Sequence, residues 1–430
     1  MNYNDCINWI EDRRANLGSV PGLFCVKDLL DRFDNPQQHL QVVHITGTNG
    51  KGSTGLYLDK LFMASKKVTG HFSSPAIVTY PDQFKIKDRN VSKKDYALIM
   101  TETIEAIENE TTDRALKNAT AFEIETVFAC LLFYRKQCDI CIIEVGMGGE
   151  HDATNVFDSK LASVFTSIGL DHVNMMGDTL EKIAIEKSGI IRSNSIIVSA
   201  PQVKEVKKVL DKRAKELNEE VCYIEEEDIV IKSQTKDFLS FSNADYNRLS
   251  LCMLGKYQTI NASVALKTFD EICKEYDGYS ITLDKKKDVL KTASWPCRFE
   301  IISKKPRIVL DGAHNIQAVR MLMDTFDRYF TKGPIVFIMG VYSDKDYEAI
   351  VQESVKRADC VITVPLPNRA RSVSSYELAK VVRKYNENVT AADSVFEGME
   401  LAKILAAEQG TILAFGSLSY LGEIRSMYIK

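Results

Sequence analysis

The sequence predicts an α/β protein of two doubly wound domains, a larger one over residues 1–294 and a smaller one over 295–430. Three observations predict it. A chain of 430 residues is too long for one hydrophobic core. Short apolar runs alternate with amphipathic stretches, the pattern of strands and helices around a mostly parallel sheet. That alternation lapses before Trp295-Pro296 and then resumes, and proline cannot continue a preceding helix.

In the first half, strands are predicted at 41–45, 67–72, 138–146, 161–169 and 195–200, with helices at 55–67, 120–135, 179–187 and 203–217. From 221 to 252 polar and apolar residues alternate around the acidic turn Glu225-Glu226-Glu227-Asp228, which predicts a solvated hairpin closing the edge of the first domain. A helix over 260–276 and a polar connection through Asp284-Lys285-Lys286-Lys287 lead to the boundary. Strands at 306–312, 334–340, 359–365 and 411–417, separated by helical patterns, form the second domain.

Composition narrows the function. Hydrophobic residues make up 45% and charged residues 27%, as in water-soluble globular proteins. Lys plus Arg number 55 against 59 Asp plus Glu, and a net charge of −4 provides no field to gather nucleic acid or anionic lipid. No apolar run is long enough to span a bilayer, and the start MNYNDCINWIEDRR lacks signal-peptide order, so a cytoplasmic protein is expected. The ten cysteines are dispersed, as in a reducing compartment. The one CxxC, Cys138 and Cys141, flanks a segment read as a buried strand, where alternate side chains oppose each other across the sheet.

The strongest motif is HITGTNGKGST, residues 44–54, where a strand runs into a glycine-rich turn and a helix. Backbone amides over Thr48, Asn49, Gly50 and Gly52 can converge on phosphate, and the helix N-terminus adds partial positive charge. Lys51 supplies a mobile cation, and Ser53 or Thr54 a hydroxyl for Mg²⁺. The pattern departs from GxxxxGK[ST], because Ile45 holds the first glycine's place and Gly52 follows the lysine directly. A merely tight turn between strand and helix is the alternative.

TGTNGKGST also resembles the ATP loop of the Mur ligase superfamily. HFSSP (71–75), TAFEIET (120–126), IIEVGMGGEHDATN (142–155), LDHVNMMGDTLEKIAIEKSGI (170–190), GKYQTINA (255–262), WPCRFE (295–300), LDGAHN (310–315), DKD (344–346) and GSLSYLGEIR (416–425) narrow the resemblance to the folylpolyglutamate synthase/dihydrofolate synthase family. It runs nearly end to end and in order. It implies a Mur-ligase-like phosphate-loop domain followed by a Rossmann-like domain, and a monomer that joins L-glutamate to a folate or dihydropteroate carboxyl through an acyl phosphate, using ATP and two Mg²⁺ ions.

The resemblance also implies roles. Lys51 and its loop hold ATP. Glu144 is shared by both magnesium ions, Ser74 helps hold the first, and His172 the second. Lys187 takes up CO₂ to become a carbamate that ligates the second ion. Asn261 contacts adenine, Arg298 reaches the phosphates, and Asp311 with His314 sits against the nucleotide. Read without the resemblance, Glu144 is equally a buried carboxylate capping the next turn, His172 a helix cap or core histidine, and Asn261 a helix N-cap. Lys187 reads as an exposed helical lysine paired with Glu186 or Glu181.

The chain departs from the family pattern at Glu150 and His151, at Asp82-Gln83, at Tyr257 in place of a frequent histidine, and at Cys297 in place of the glycine of WPGR. These leave the ATP chemistry intact and bear on folate and glutamate contacts. Two rivals remain. A Mur ligase extending a UDP-linked peptidoglycan precursor needs an N-terminal sugar domain, for which the 43 residues before the loop segment leave no room. A nucleotide-binding regulator or non-ligase ATPase would use the loop alone.

Overall fold

The structure, a computed structural model, describes residues 1–18, 22–110, 116–171, 173–330 and 332–429. Backbone contacts divide it into two units: Met1–Ala76, Tyr80–Ile229 and Ile260–Leu290 form the first, and Ile77–Thr79, Val230–Thr259 and Lys291–Lys430 the second.

The first unit is built on eight strands: β1 (Val42–Thr46), β2 (Thr69–Phe72), β3 (Phe84–Ile86), β4 (Arg89–Asn90), β5 (Ile140–Glu144), β6 (Ala162–Phe165), β7 (Ile196–Ser199) and β8 (Val221–Tyr223). Their order is β4-β3-β2-β5-β1-β6-β7-β8, parallel from β2 to β8 with β3 and β4 antiparallel at one edge. β1 and β5 are buried at every residue, as near-continuous apolar runs demand when helices cover both faces. The helices are α1 (Tyr3–Leu17), α2 (Phe24–Asp31), α3 (Lys51–Ala64), α4 (Lys93–Glu108), α5 (Ala121–Arg135), α6 (Val173–Met176), α7 (Leu180–Ser188) and α8 (Lys204–Glu216), with α9 (Lys256–Glu275) and α10 (Leu283–Thr292) added later in the chain.

Local chemistry explains several boundaries. Thr120 and Glu123 make a reciprocal capping box that starts α5, an arrangement worth about 1 kcal/mol. Thr179 caps α7 through the amide of Lys182. The core on one face of the sheet stacks Phe72 on Phe84 at 5.1 Å and sets Phe84 edge-on to Phe128 at 4.6 Å.

Some expectations are corrected. The run Asp284-Lys285-Lys286-Lys287 is not a loop, for it lies within α10, where Leu290 is buried, Asp284 and Lys285 are exposed and Lys286 pairs with Asp270 of α9. Cys138 precedes β5 instead of opposing Cys141 across the sheet. Burial pushes the Cys141 thiol up, and the neighbouring Cys138 thiol adds to the shift.

The second unit holds a three-stranded antiparallel sheet of β9 (Val230–Gln234), β10 (Leu239–Ser242) and β11 (Leu249–Leu251). The 221–252 segment therefore divides: β8 extends the large sheet, while the strands from Val230 onward pack in the second unit and do not close the first. The acidic turn is a short 3-10 helix, Glu226–Asp228. The unit's main sheet comprises β12 (Glu300–Lys304), β13 (Arg307–Leu310), β14 (Ile335–Met339), β15 (Cys360–Thr363), β16 (Val389–Ala391) and β17 (Thr411–Phe415), ordered β12-β13-β17-β14-β15-β16. Only β12 is antiparallel. Helices α11 (Ile316–Tyr329), α12 (Tyr347–Ser354), α13 (Ser375–Arg383), α14 (Val395–Ala406) and α15 (Leu418–Ser426) complete a doubly wound layer structure. Among the described residues no helix is long and apolar enough to cross a membrane.

Candidate active site

The phosphate loop follows β1 directly. Gly47 has φ 148° and Gly50 φ 99°, values that favour glycine. Neither position has room for a side chain, because a Cβ on Gly47 would fall 1.9 Å from Thr166 Oγ1 and one on Gly50 2.4 Å from Asn261 Oδ1. Thr48 and Asn49 donate their amides to Ser167 O at 2.8 and 3.3 Å. The Thr48 hydroxyl donates to Gly169 O at 2.9 Å and accepts from Gly169 N at 3.0 Å. Lys51 opens α3, and its Nζ donates to Gly47 O at 3.0 Å. Gly52, Ser53 and Thr54 form the buried first turn, in which the Thr54 amide donates to Gly50 O at 2.9 Å and so begins the helix ladder. The buried Thr54 hydroxyl has no hydrogen-bond partner among the described residues.

Glu144 is the last residue of β5, in register with Ile45 on β1, so it leaves the sheet at the edge from which the loop springs. It is 3% exposed, and its Oε1 lies 3.2 Å from His71 Nε2. Ser74 follows β2 at the same edge, since Phe72 is in register with Ile143. His172 lies outside the described residues.

Lys187 overturns the reading of an exposed, paired lysine. It is 3% exposed near the end of α7, and its Nζ donates to Gly47 O at 3.2 Å. The reason is packing: α7 lies against the Gly148-Gly149 turn, and a Cβ on Gly149 would fall 2.8 Å from Lys187 O. Burial, reinforced by the charge of Lys51, pushes the amine down to about 7. Glu186, the expected partner, instead accepts the His151 amide at 3.1 Å and pairs with the His151 ring at 3.0 Å. Glu150 and His151 thus belong to a turn tied to α7.

Asn261 lies inside α9 and is not its N-cap; its side chain rests on Gly50. At the Asp82-Gln83 departure, Gln83 donates to the buried carboxylate of Glu125 at 3.2 Å, which also receives Arg14 at 2.7 Å.

In the second unit Asp311 is 5% exposed and organises its surroundings. Its carboxylate accepts the amides of Phe299 and Ala313, each at 2.9 Å, and burial raises its pKa against the opposing charge of Arg298. Arg298 crosses Gly312, where a Cβ would fall 2.2 Å from Nη1. His314 Nδ1 lies 2.8 Å from Gly312 O. Cys297 has φ 57°, which explains why a glycine suits this position and makes the cysteine a strained replacement.

The sequence matches the family described as the Mur ligase middle domain over residues 45–269 and that described as the Mur ligase glutamate ligase domain over residues 297–418. The dihydrofolate synthase/folylpolyglutamate synthase of Buchnera aphidicola subsp. Schizaphis graminum is 31% identical over 383 residues, covering 89% of this chain and 87% of that one. The chain belongs to the dihydrofolate synthase/folylpolyglutamate synthase family of Mur ligases. The Bacillus subtilis member is 28% identical over 98% of both chains. A solved Escherichia coli structure, FolC in complex with DHPP and ADP, superposes with a TM-score of 0.85 at 26% identity, covering 98% of this chain and 97% of that one.

Within this Mur ligase, sequence reasoning brought Lys51, Glu144 and Lys187 to one region but missed what surrounds them. The clasp at Ser167 and Gly169 had no signal beyond its place after a strand. The contact of His71 with Glu144 had one, an ionisable residue inside a strand that reads as buried.

Proposed function

We propose that this chain is an ATP- and Mg²⁺-dependent ligase that joins the amine of L-glutamate to a carboxyl of dihydropteroate, tetrahydrofolate or both. One juxtaposition carries the reading: a preformed phosphate loop with its own lysine stands beside the buried carboxylate of Glu144, in a chain whose relatives bear these names over nearly their whole length. The amides of residues 50–53 and the Lys51 side chain bind the triphosphate, Lys51 exchanging Gly47 O for a phosphate oxygen, while Thr48 and Asn49, whose amides go to Ser167 O instead of to phosphate, shape the loop. Asn261, seated on Gly50, lies where adenine recognition can begin, and Arg298 offers a planar guanidinium suited to phosphate oxygens.

The donors fit a hard divalent cation: the Glu144 carboxylate and Ser74 hydroxyl leave the same sheet edge beside the loop. His172 is proposed as a further ligand. Magnesium, when bound, offsets the negative charge of carboxylate and phosphate as they approach. Lys187 fits such a site only as an anion. Its buried amine, brought down to about 7, carries a neutral fraction near neutral pH that is suited to attack CO₂; a new N–C bond forms, a proton leaves, and the product carbamate offers oxygen donors. The substrate carboxylate attacks the γ-phosphate, ADP departs, and glutamate's amine displaces phosphate from the acyl phosphate. No side-chain nucleophile is required.

Incubating the purified protein with ATP, Mg²⁺ and labelled L-glutamate against each pterin tests this. The expected product is one glutamate heavier by mass, with ADP and phosphate released only when both co-substrates are present. ATP hydrolysis independent of both, or glutamate transfer only to a UDP-linked precursor, overturns it.

A further inference from the structure

Beneath α3 the sheet carries ionisable side chains where an apolar surface would be expected. Thr69 and His71 share one face of β2. Ile142 is the register partner of His71, so Glu144, two residues on, lies on that face too. Both His71 and Glu144 are buried, and Nε2 and Oε1 are 3.2 Å apart. Gly55 of α3 covers the pair: a Cβ there would fall 2.8 Å from His71 Nε2 and 3.2 Å from Glu144 Oε1. One helical turn further, Asp59 is 1% exposed, and its carboxylate oxygens make no hydrogen bond among the described residues.

Burying His71 and Glu144 is costly unless each satisfies the other. A carboxylate that binds a cation also needs its remaining lone pairs occupied and its rotamer held. We propose that His71 is a positioning residue for Glu144: its Nε2–H donates to Oε1 and leaves Oε2 for the divalent cation, in space that only glycine at position 55 provides. The proposal rests on the reading of Glu144 as a metal ligand.

The test uses Mn²⁺ as probe and measures its affinity for the full chain in the presence of ADP, by electron paramagnetic resonance of the free ion. Glu144→Ala is expected to lose the ion. His71→Leu should weaken it by about 10–100-fold, while His71→Gln, whose amide nitrogen replaces the imidazole donor, recovers most of the loss. Thermal unfolding without metal checks that each variant is folded. If His71→Leu does not fold, Gly55→Ala displaces the imidazole from the helix side and should give the same metal defect.

Wild-type Mn²⁺ affinity in His71→Leu or, failing that, Gly55→Ala, with Glu144→Ala still defective, overturns the role of His71 and leaves Glu144 as a ligand. Equal defects in His71→Leu and His71→Gln overturn it as well, since the donor would then be irrelevant. Unchanged affinity in Glu144→Ala overturns the ligand reading and with it the proposal.

Discussion

Lys51 and Lys187 aim their amines at one acceptor, the carbonyl oxygen of Gly47, from 3.0 and 3.2 Å. Two ammonium groups so placed would repel, and the conflict is relieved because burial drives Lys187 toward its neutral form. Lys51 keeps the charge, held by an internal oxygen that stands in for phosphate.

Removing that charge should be decisive. Lys51→Ala is expected to reduce ligase turnover by roughly 10²–10³-fold or more, as for other lost transition-state contacts, while thermal unfolding stays near wild type. A wild-type rate would place the nucleotide elsewhere.

Lys187 should make stability depend on pH in a defined window. Between about 7 and the ordinary lysine value of 10.5 the unfolded chain binds a proton that the folded chain does not, so unfolding free energy rises with pH across that range. In Lys187→Met this contribution disappears. Denaturant titrations from neutral to alkaline pH, in metal-free and CO₂-free buffer, should show a shallower rise for the variant.

Carbamate formation at Lys187 predicts a new carbamate carbon resonance when the protein is equilibrated with ¹³C-bicarbonate. The resonance should be absent from Lys187→Ala, which should also lose ligase activity. Full activity in that variant removes the carbamate from the chemistry.

Gly47→Ala should destabilise the first unit by about 1–3 kcal/mol from backbone strain, with steric conflict added. Its Cβ would meet Thr166 Oγ1 at 1.9 Å. Thr166→Ala in the same chain should recover the steric part alone, as seen by chemical denaturation of the double variant.

The alternation of strand and helix was legible because apolar runs and their caps are local: β1, β5 and the Thr120 and Thr179 caps lie where hydrophobic pattern and side-chain chemistry put them. The phosphate loop was legible because the positive φ at Gly47 and Gly50 is a local demand that glycine meets, although the close approach of Thr166 and Asn261 to those positions was not. Burial of Lys187 was not, for it depends on how α7 meets the Gly148-Gly149 turn nearly forty positions away in the chain. Likewise α1 and α2 were not read, since Tyr3–Leu17 shows only a thin apolar stripe, in which Cys6 and Ile10 alone are buried. The His71–Glu144 contact needed the β2–β5 register, which no local pattern encodes.

The clasp of Thr48 and Asn49 by Ser167 and Gly169 has a kinetic consequence. With these residues already ordered, capture of a nucleotide incurs little loss of backbone entropy at the loop and awaits no slow rearrangement there. Association should then run at the speed of diffusional encounter and orientation, and differences in affinity among nucleotides should emerge in how long each one stays.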